Sequence, residues 1–132
     1  MSTNSPNYFS ALHGHQHMNL VTFRKSGVGV KTPVWFVLDG NRLVMYTLGI
    51  SGKVKRLRNN PRVEVGPSDA RGKPLGASVE AQARLMQGEE AARAEKLLSQ
   101  KYGLLFTVLN LQRKLSGAKF ERVFIEIVPP EK

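Results

Sequence analysis

A chain of 132 residues has room for one hydrophobic core and not two. It is 41% hydrophobic and 23% charged, has no cysteine, and holds no apolar run near the ~20 residues of a bilayer span; disulfides, thiolate metal sites and a cysteine nucleophile are excluded. The net charge of +10 is placed unevenly, with nine basic residues against one acid, Asp39, from Met1 to Val63, and five cations with no acid between Lys53 and Arg62.

Residues 1–17 read as a loose lead, rich in Asn, Ser and His, with no basic-then-apolar leader pattern, so the cytoplasm is the expected compartment. His13, His15 and His17 would share one face of an extended strand, as zinc or nickel ligands could. No cysteine or nearby carboxylate completes a ligand set, and the reading is a lead without a metal site. Asn19 to Lys25 is apolar and β-branched and suits a strand. Val30 to Leu38 follows the turn residues Ser26 to Gly29 as a second. Asp39-Gly40-Asn41 is a hairpin signal, and Arg42 to Thr47 continues the meander as a third.

Ser51 is placed to cap a short helix running to Asn59, with Val54 and Leu57 on its inner side and Pro61 ending it. Arg62 to Gly66 is a fourth strand, and Pro67 to Gly76 a surface loop. In Val79 to Leu85, apolar Val79, Ala81, Ala83 and Leu85 alternate with Glu80, Gln82 and Arg84, a fifth strand. Glu89 to Tyr102 is helical, with Gly103 as its stop. Leu104 to Leu115 is a second helical run, apolar around more than half its circumference and ended by Gly117. Val123, Ile125 and Ile127 form one face of a last strand. The expected fold is α+β and mainly β. Six antiparallel strands curl into a small barrel, with one short inserted helix and two helices in the C-terminal half; residues 18–132 form one domain behind the lead.

The chemistry concentrates in Tyr46 to Arg56. A strand ends in a hydroxyl residue, the chain turns on Gly49, and a helix starts with Ser51, Gly52 and Lys53. Free N–H groups at a helix start favour an anion. Ser51 adds a hydroxyl, Gly52 close backbone approach, and Lys53 a full charge. Arg56 lies three residues on, on the same helix face, and offers a planar fork to phosphate. The segment is either a phosphate cradle or a capped helix with a solvated basic face. No nucleophilic triad is visible: Ser10, His13 and Asp39 lack motif spacing. Glu80 and Glu126 read as solvent-facing strand residues.

Tyr46-Thr47, a three-residue gap and Ser51-x-Lys53 resemble the flavin-phosphate motif of the pyridoxamine 5′-phosphate oxidase-like, or FMN-binding split-barrel, superfamily. Thr22-Phe23-Arg24, Lys31-Thr32-Pro33-Val34-Trp35, Asp39-Gly40 and the run from Lys53 to Val63 resemble its branch that uses the deazaflavin coenzyme F420. Residues 18–86 carry the resemblance; the late helices and last strand match in outline. It implies a split β-barrel homodimer with the cofactor in a groove between subunits. Ser51, Gly52 and Lys53 would hold the phosphate with Thr47 and Arg56 assisting, while Lys31, Thr32, Pro33 and Val34 line the ring system. Hydride would pass between the deazaflavin and a conjugated organic compound. Phe36 stands where vitamin-forming members carry a basic residue, which argues against pyridoxamine phosphate oxidation.

An acidic glutamate tail matches the basic cluster better than compact FMN does, so F420 is the expected cofactor and FMN the alternative. Trp35 and the Leu104 to Leu115 helix could line an acceptor site, although core packing explains Trp35 equally well. A basic barrel could instead bind nucleic acid, with Phe23, Trp35, Phe36 and Tyr46 as the available aromatics. A cofactor carrier without turnover is the third possibility.

Overall fold

Strands β1 (His17–Phe23), β2 (Gly29–Asp39), β3 (Arg42–Leu48), β4 (Arg62–Ser68), β5 (Val79–Met86) and β6 (Arg122–Val128) close into one barrel. Their order is β1-β2-β3-β6-β5-β4, each neighbouring pair is antiparallel, and β4 returns to pair with β1. The computed structural model describes residues 8–48, 51–116 and 122–130. Period-2 alternation sets the two faces. On β3, Leu43 and Met45 are buried inside the barrel, whereas Val44 and Tyr46 belong to a separate outer cluster. Met18, Leu20, Phe36, Val63, Val65, Ala81, Ile125 and Ile127 complete the interior. The hairpin between β2 and β3 turns on Gly40 at φ 62°, a conformation that Gly adopts without penalty.

Among the described residues two α-helices flank this barrel. Helix α1 (Gly52–Asn59) sits between β3 and β4 and buries Val54 and Leu57, the inner pair read from its spacing. Helix α2 (Glu89–Ser116) is one element broken by Gly103, whose φ of 58° and ψ of −132° are not helical. The stop expected at Gly103 is therefore present; Gly117 lies outside the described residues. Ala94 and Leu98 of α2 pack with Val44, Met86 and Phe124 on the outer sheet face. Among the described residues no helix is long and apolar enough to cross a membrane.

Residues 8–16, which the sequence leaves outside the domain, pack against it. A 3-10 turn at Ser10–Leu12 buries Phe9 and Leu12 in the barrel core. Tyr8 donates to the carbonyl of Glu80 at 2.6 Å.

Candidate functional site

A cleft of about 380 Å³ on the outside of the barrel is lined by His17, Pro33, Val34, Trp35, Tyr46, Thr47, Lys53 and Ala70. β2 and β3 supply its floor through Pro33 to Trp35 and Tyr46 to Thr47. The β4–β5 loop brings Ala70 to its edge. That loop is fixed by Asp69, whose side-chain oxygen accepts from the backbone N–H groups of Arg71 and Lys73, both at 2.9 Å. These bonds hold the Asp69 carboxyl below its usual range. Asn19 of β1 ties the loop to the barrel by donating to the carbonyl of Gly72 at 2.8 Å.

One end of the cleft is the start of α1. Ser51 stands at the cap position, yet its hydroxyl caps nothing; it lies 3.2 Å from Thr47 Oγ1, which donates to it. The first N–H groups of α1 thus have no side-chain acceptor from the cap, and no acidic residue lies in the first turn. Lys53 is half-buried beside them. Burial, and secondarily the nearby charge of Arg56, push its ammonium below the ordinary lysine range. Arg56 is anchored by Nε to Thr22 Oγ1 at 2.6 Å. Its Nη1 crosses Gly52 so closely that a Cβ there would stand 2.7 Å away. A helix start with hydroxyls, two adjacent cations and no carboxylate is electrostatically suited to an anion.

The rest of the cleft is aromatic, and the part that Tyr102 of α2 plays beside Trp35 was not legible in the sequence. Trp35 stacks on Tyr102 of α2, centroids 4.4 Å apart and planes 9° from parallel. Its Nε1 donates to His17 Nε2 at 3.0 Å. β1 pairs with β2 only as far as Trp35, so the Phe36 backbone needs other partners, and α2 supplies them. The Phe36 N–H donates to the Tyr102 hydroxyl at 2.9 Å, and that hydroxyl lies 2.8 Å from the Phe36 carbonyl and 2.6 Å from the Gln16 carbonyl. Lys101 Nζ donates to the carbonyls of Phe36 at 2.7 Å and His15 at 2.8 Å. Burial lowers Lys101 to about 8 and raises Tyr102 to about 12.

A family model described as pyridoxamine 5′-phosphate oxidase matches residues 5–131. The chain belongs to the pyridoxamine 5′-phosphate oxidase family. No curated protein matches it. Among solved structures, the heme storage protein HutZ from Vibrio cholerae is 15% identical over 98% of this chain and 92% of its own, with a TM-score of 0.69. An FAD-binding protein from Mesorhizobium loti is 14% identical over 95% and 87%, with a TM-score of 0.63. A structure described as F420 reductase is 20% identical over 92% of both chains, with a TM-score of 0.56. At these identities the likeness is one of fold.

Within this family fold, the residues singled out from the sequence are only partly brought together. Pro33, Val34, Thr47 and Lys53 line the one cleft. Ser51 and Gly52 line an adjoining groove of about 490 Å³ with Lys25, Val54, Lys55, Arg58 and Asn59. Arg56 turns toward Thr22 and reaches the cradle only across Gly52. Lys31 is exposed and Thr32 pairs opposite Leu20; neither lines the cleft. Arg62 leaves the basic cluster altogether, bonded to Glu80 at 2.7 Å and lying over the Phe23 ring. Glu126 is clamped by Arg42 and Arg84. The cradle nevertheless fits a phosphorylated cofactor, because the missing Cβ of Gly52 lets the Arg56 guanidinium lie across an uncapped helix start that holds no acid.

Proposed function

We propose that this chain is an oxidoreductase that binds the deazaflavin coenzyme F420 in this cleft and passes hydride between it and a conjugated organic compound. The observation that carries the reading is the mixed lining of one cleft. Thr47 and the half-buried cation of Lys53 share it with Pro33, Val34, Trp35 and Tyr46, as a phosphate joined to a planar ring requires. Thr47, Ser51, Gly52 and Lys53 would hold the phosphate, with Arg56 beside them; β2 would border the ring through Pro33 and Val34. The cofactor, when bound, supplies the hydride chemistry. The chain's own residues bind its charge, orient its ring and exclude water. A homodimer with each cleft closed by the other subunit completes the proposal, and sedimentation of the purified protein tests it.

The adjoining groove favours F420 over FMN. Lys25, Lys55 and Arg58 line it without a carboxylate, which suits an acidic tail continuing past the phosphate. Nucleic-acid binding is less well supported, because two of the four aromatics available to it are engaged elsewhere. Phe36 is inside the barrel and Phe23 lies under Arg62.

The test is quenching of Trp35, the single tryptophan, during titration with F420 and with FMN in parallel. Tight F420 binding that Lys53→Ala weakens about 10–100-fold, as loss of one charge-assisted contact implies, supports the reading. Preference for FMN moves the function to that cofactor; binding of neither removes the cradle. Binding of F420 without turnover of any conjugated acceptor would leave a carrier.

A further inference from the structure

His17 opens β1 and lines the cleft beside Trp35. The indole Nε1 of Trp35 can only donate, so His17 Nε2 must accept, and the neutral ring carries its proton on Nδ1. No protein partner takes that proton among the described residues; the Trp35 bond is the single hydrogen bond of the His17 side chain there. The imidazole is also held in place. Trp35 is fixed from one face by Tyr102, and Tyr102 is fixed in turn by the backbone of Phe36 and Gln16. An uncommitted N–H donor that is oriented before a ligand arrives can stabilise developing negative charge without reorganisation.

We propose that His17 Nδ1–H is the hydrogen-bond donor to the oxygen of the hydride acceptor, and that it selects conjugated ketones over conjugated hydrocarbons. The inference rests on the cofactor reading given above. At the acceptor, a C–H bond forms at the β-carbon as the C=C π bond breaks, and the π electrons shift toward the oxygen that faces His17. Water supplies the proton at the α-carbon. The hydride and its electron pair come from a reduced deazaflavin, which is left oxidised by two electrons.

Two substitutions separate the roles of the two ring nitrogens. His17→Asn places an amide N–H near the position of Nδ1, whereas His17→Gln keeps a partner for Trp35 near Nε2. With cyclohex-2-enone as acceptor, His17→Gln is expected to lower kcat/KM about 10–100-fold, the worth of one hydrogen bond to a charged oxygen, and His17→Asn to recover most of it. F420 affinity, read from Trp35 quenching, should be the same in both variants. Imidazole ¹⁵N NMR of the unsubstituted protein should show His17 protonated at Nδ1, with a resonance that shifts on adding cyclohex-2-enone to the F420-loaded protein. A ring protonated at Nε2, or equal rates in the two variants, overturns the inference. Failure of the unsubstituted protein to bind F420 is a separate result, read in the titration alone, and removes the cofactor reading and the inference resting on it.

Discussion

Gly52 is the residue on which the phosphate cradle depends most directly. Its φ is ordinary, so conformational freedom is not the reason for glycine here. Space is: a Cβ would stand 2.7 Å from Nη1 of Arg56 and 3.5 Å from its Cζ. The clashing atoms are the far end of a flexible side chain, so Gly52→Ala should leave the fold intact and displace the guanidinium. The 2.6 Å bond from Arg56 to Thr22 is the contact that yields. The expected outcome is a thermal midpoint within a few degrees of the parent, since a change below about 1 kcal/mol shifts Tm little, together with weaker binding of a phosphorylated cofactor. Equal affinity in parent and variant would show that Arg56 has no part in the cradle. Lys53 is tuned in the same place. Its ammonium is held below the lysine range by burial and then by Arg56, so an arriving phosphate restores the charged form. Anion binding should therefore take up protons at alkaline pH, measurable as buffer-dependent heats in calorimetry.

At the scale of elements, the last turn of α2 before Gly103 works as a clip that replaces the missing end of β1. Tyr102→Phe keeps the ring stacked on Trp35 but leaves the Phe36 N–H without its hydroxyl partner, and should destabilise the fold by about 1–3 kcal/mol. The clip also sets an alkaline stability profile. The folded state holds the Lys101 proton less tightly than the unfolded chain, so stability should rise from about pH 8 toward the ordinary lysine value. Tyr102 acts in the opposite sense, because the folded state holds its proton more tightly; stability should fall from pH 10 toward about 12. Urea midpoints across this range should lose the first rise in Lys101→Met and keep the later fall.

The clip also marks where sequence reading stopped. Strands such as β5 were legible because Ala81 and Ala83 alternate with polar neighbours, and Thr47 to Lys53 because hydroxyl, glycine and cation recur at fixed spacing. Tyr102 falls at helical core spacing like Ala94 and Leu98, and its hydrogen bonds reach a backbone 66 residues away. Phe9 and Leu12 were missed for a related reason, since two apolar residues in a polar lead have no period. Lys31 and Thr32 share a strand with Pro33 to Trp35, but they stand opposite Val21 and Leu20 of β1, past the stretch that lines the cleft.

The whole molecule sorts its charges. Among the described residues, ion pairs hold Arg42, Arg62, Arg84 and Arg122, and none of them includes Lys53, Lys55, Arg56 or Arg58 of α1. Four of the cations outside these pairs thus stand together on one short helix, with no acid among them. Such a concentration attracts anions and is screened by salt over about 10 Å at 0.1 M. Lys55 and Arg58 lie in the groove beside Gly52 and outside the cleft, so they can act on a ligand's tail without touching its ring. Reversing either charge, as Lys55→Glu or Arg58→Glu, should weaken F420 binding severalfold, since exposed ionic contacts are worth up to about 1 kcal/mol. FMN, which has no tail, should be much less affected. Raising the salt should narrow the difference between parent and variant for F420. If the two reversals weaken F420 and FMN alike, the groove supplies only a general field, and the preference argued from its charge falls while the phosphate cradle stands.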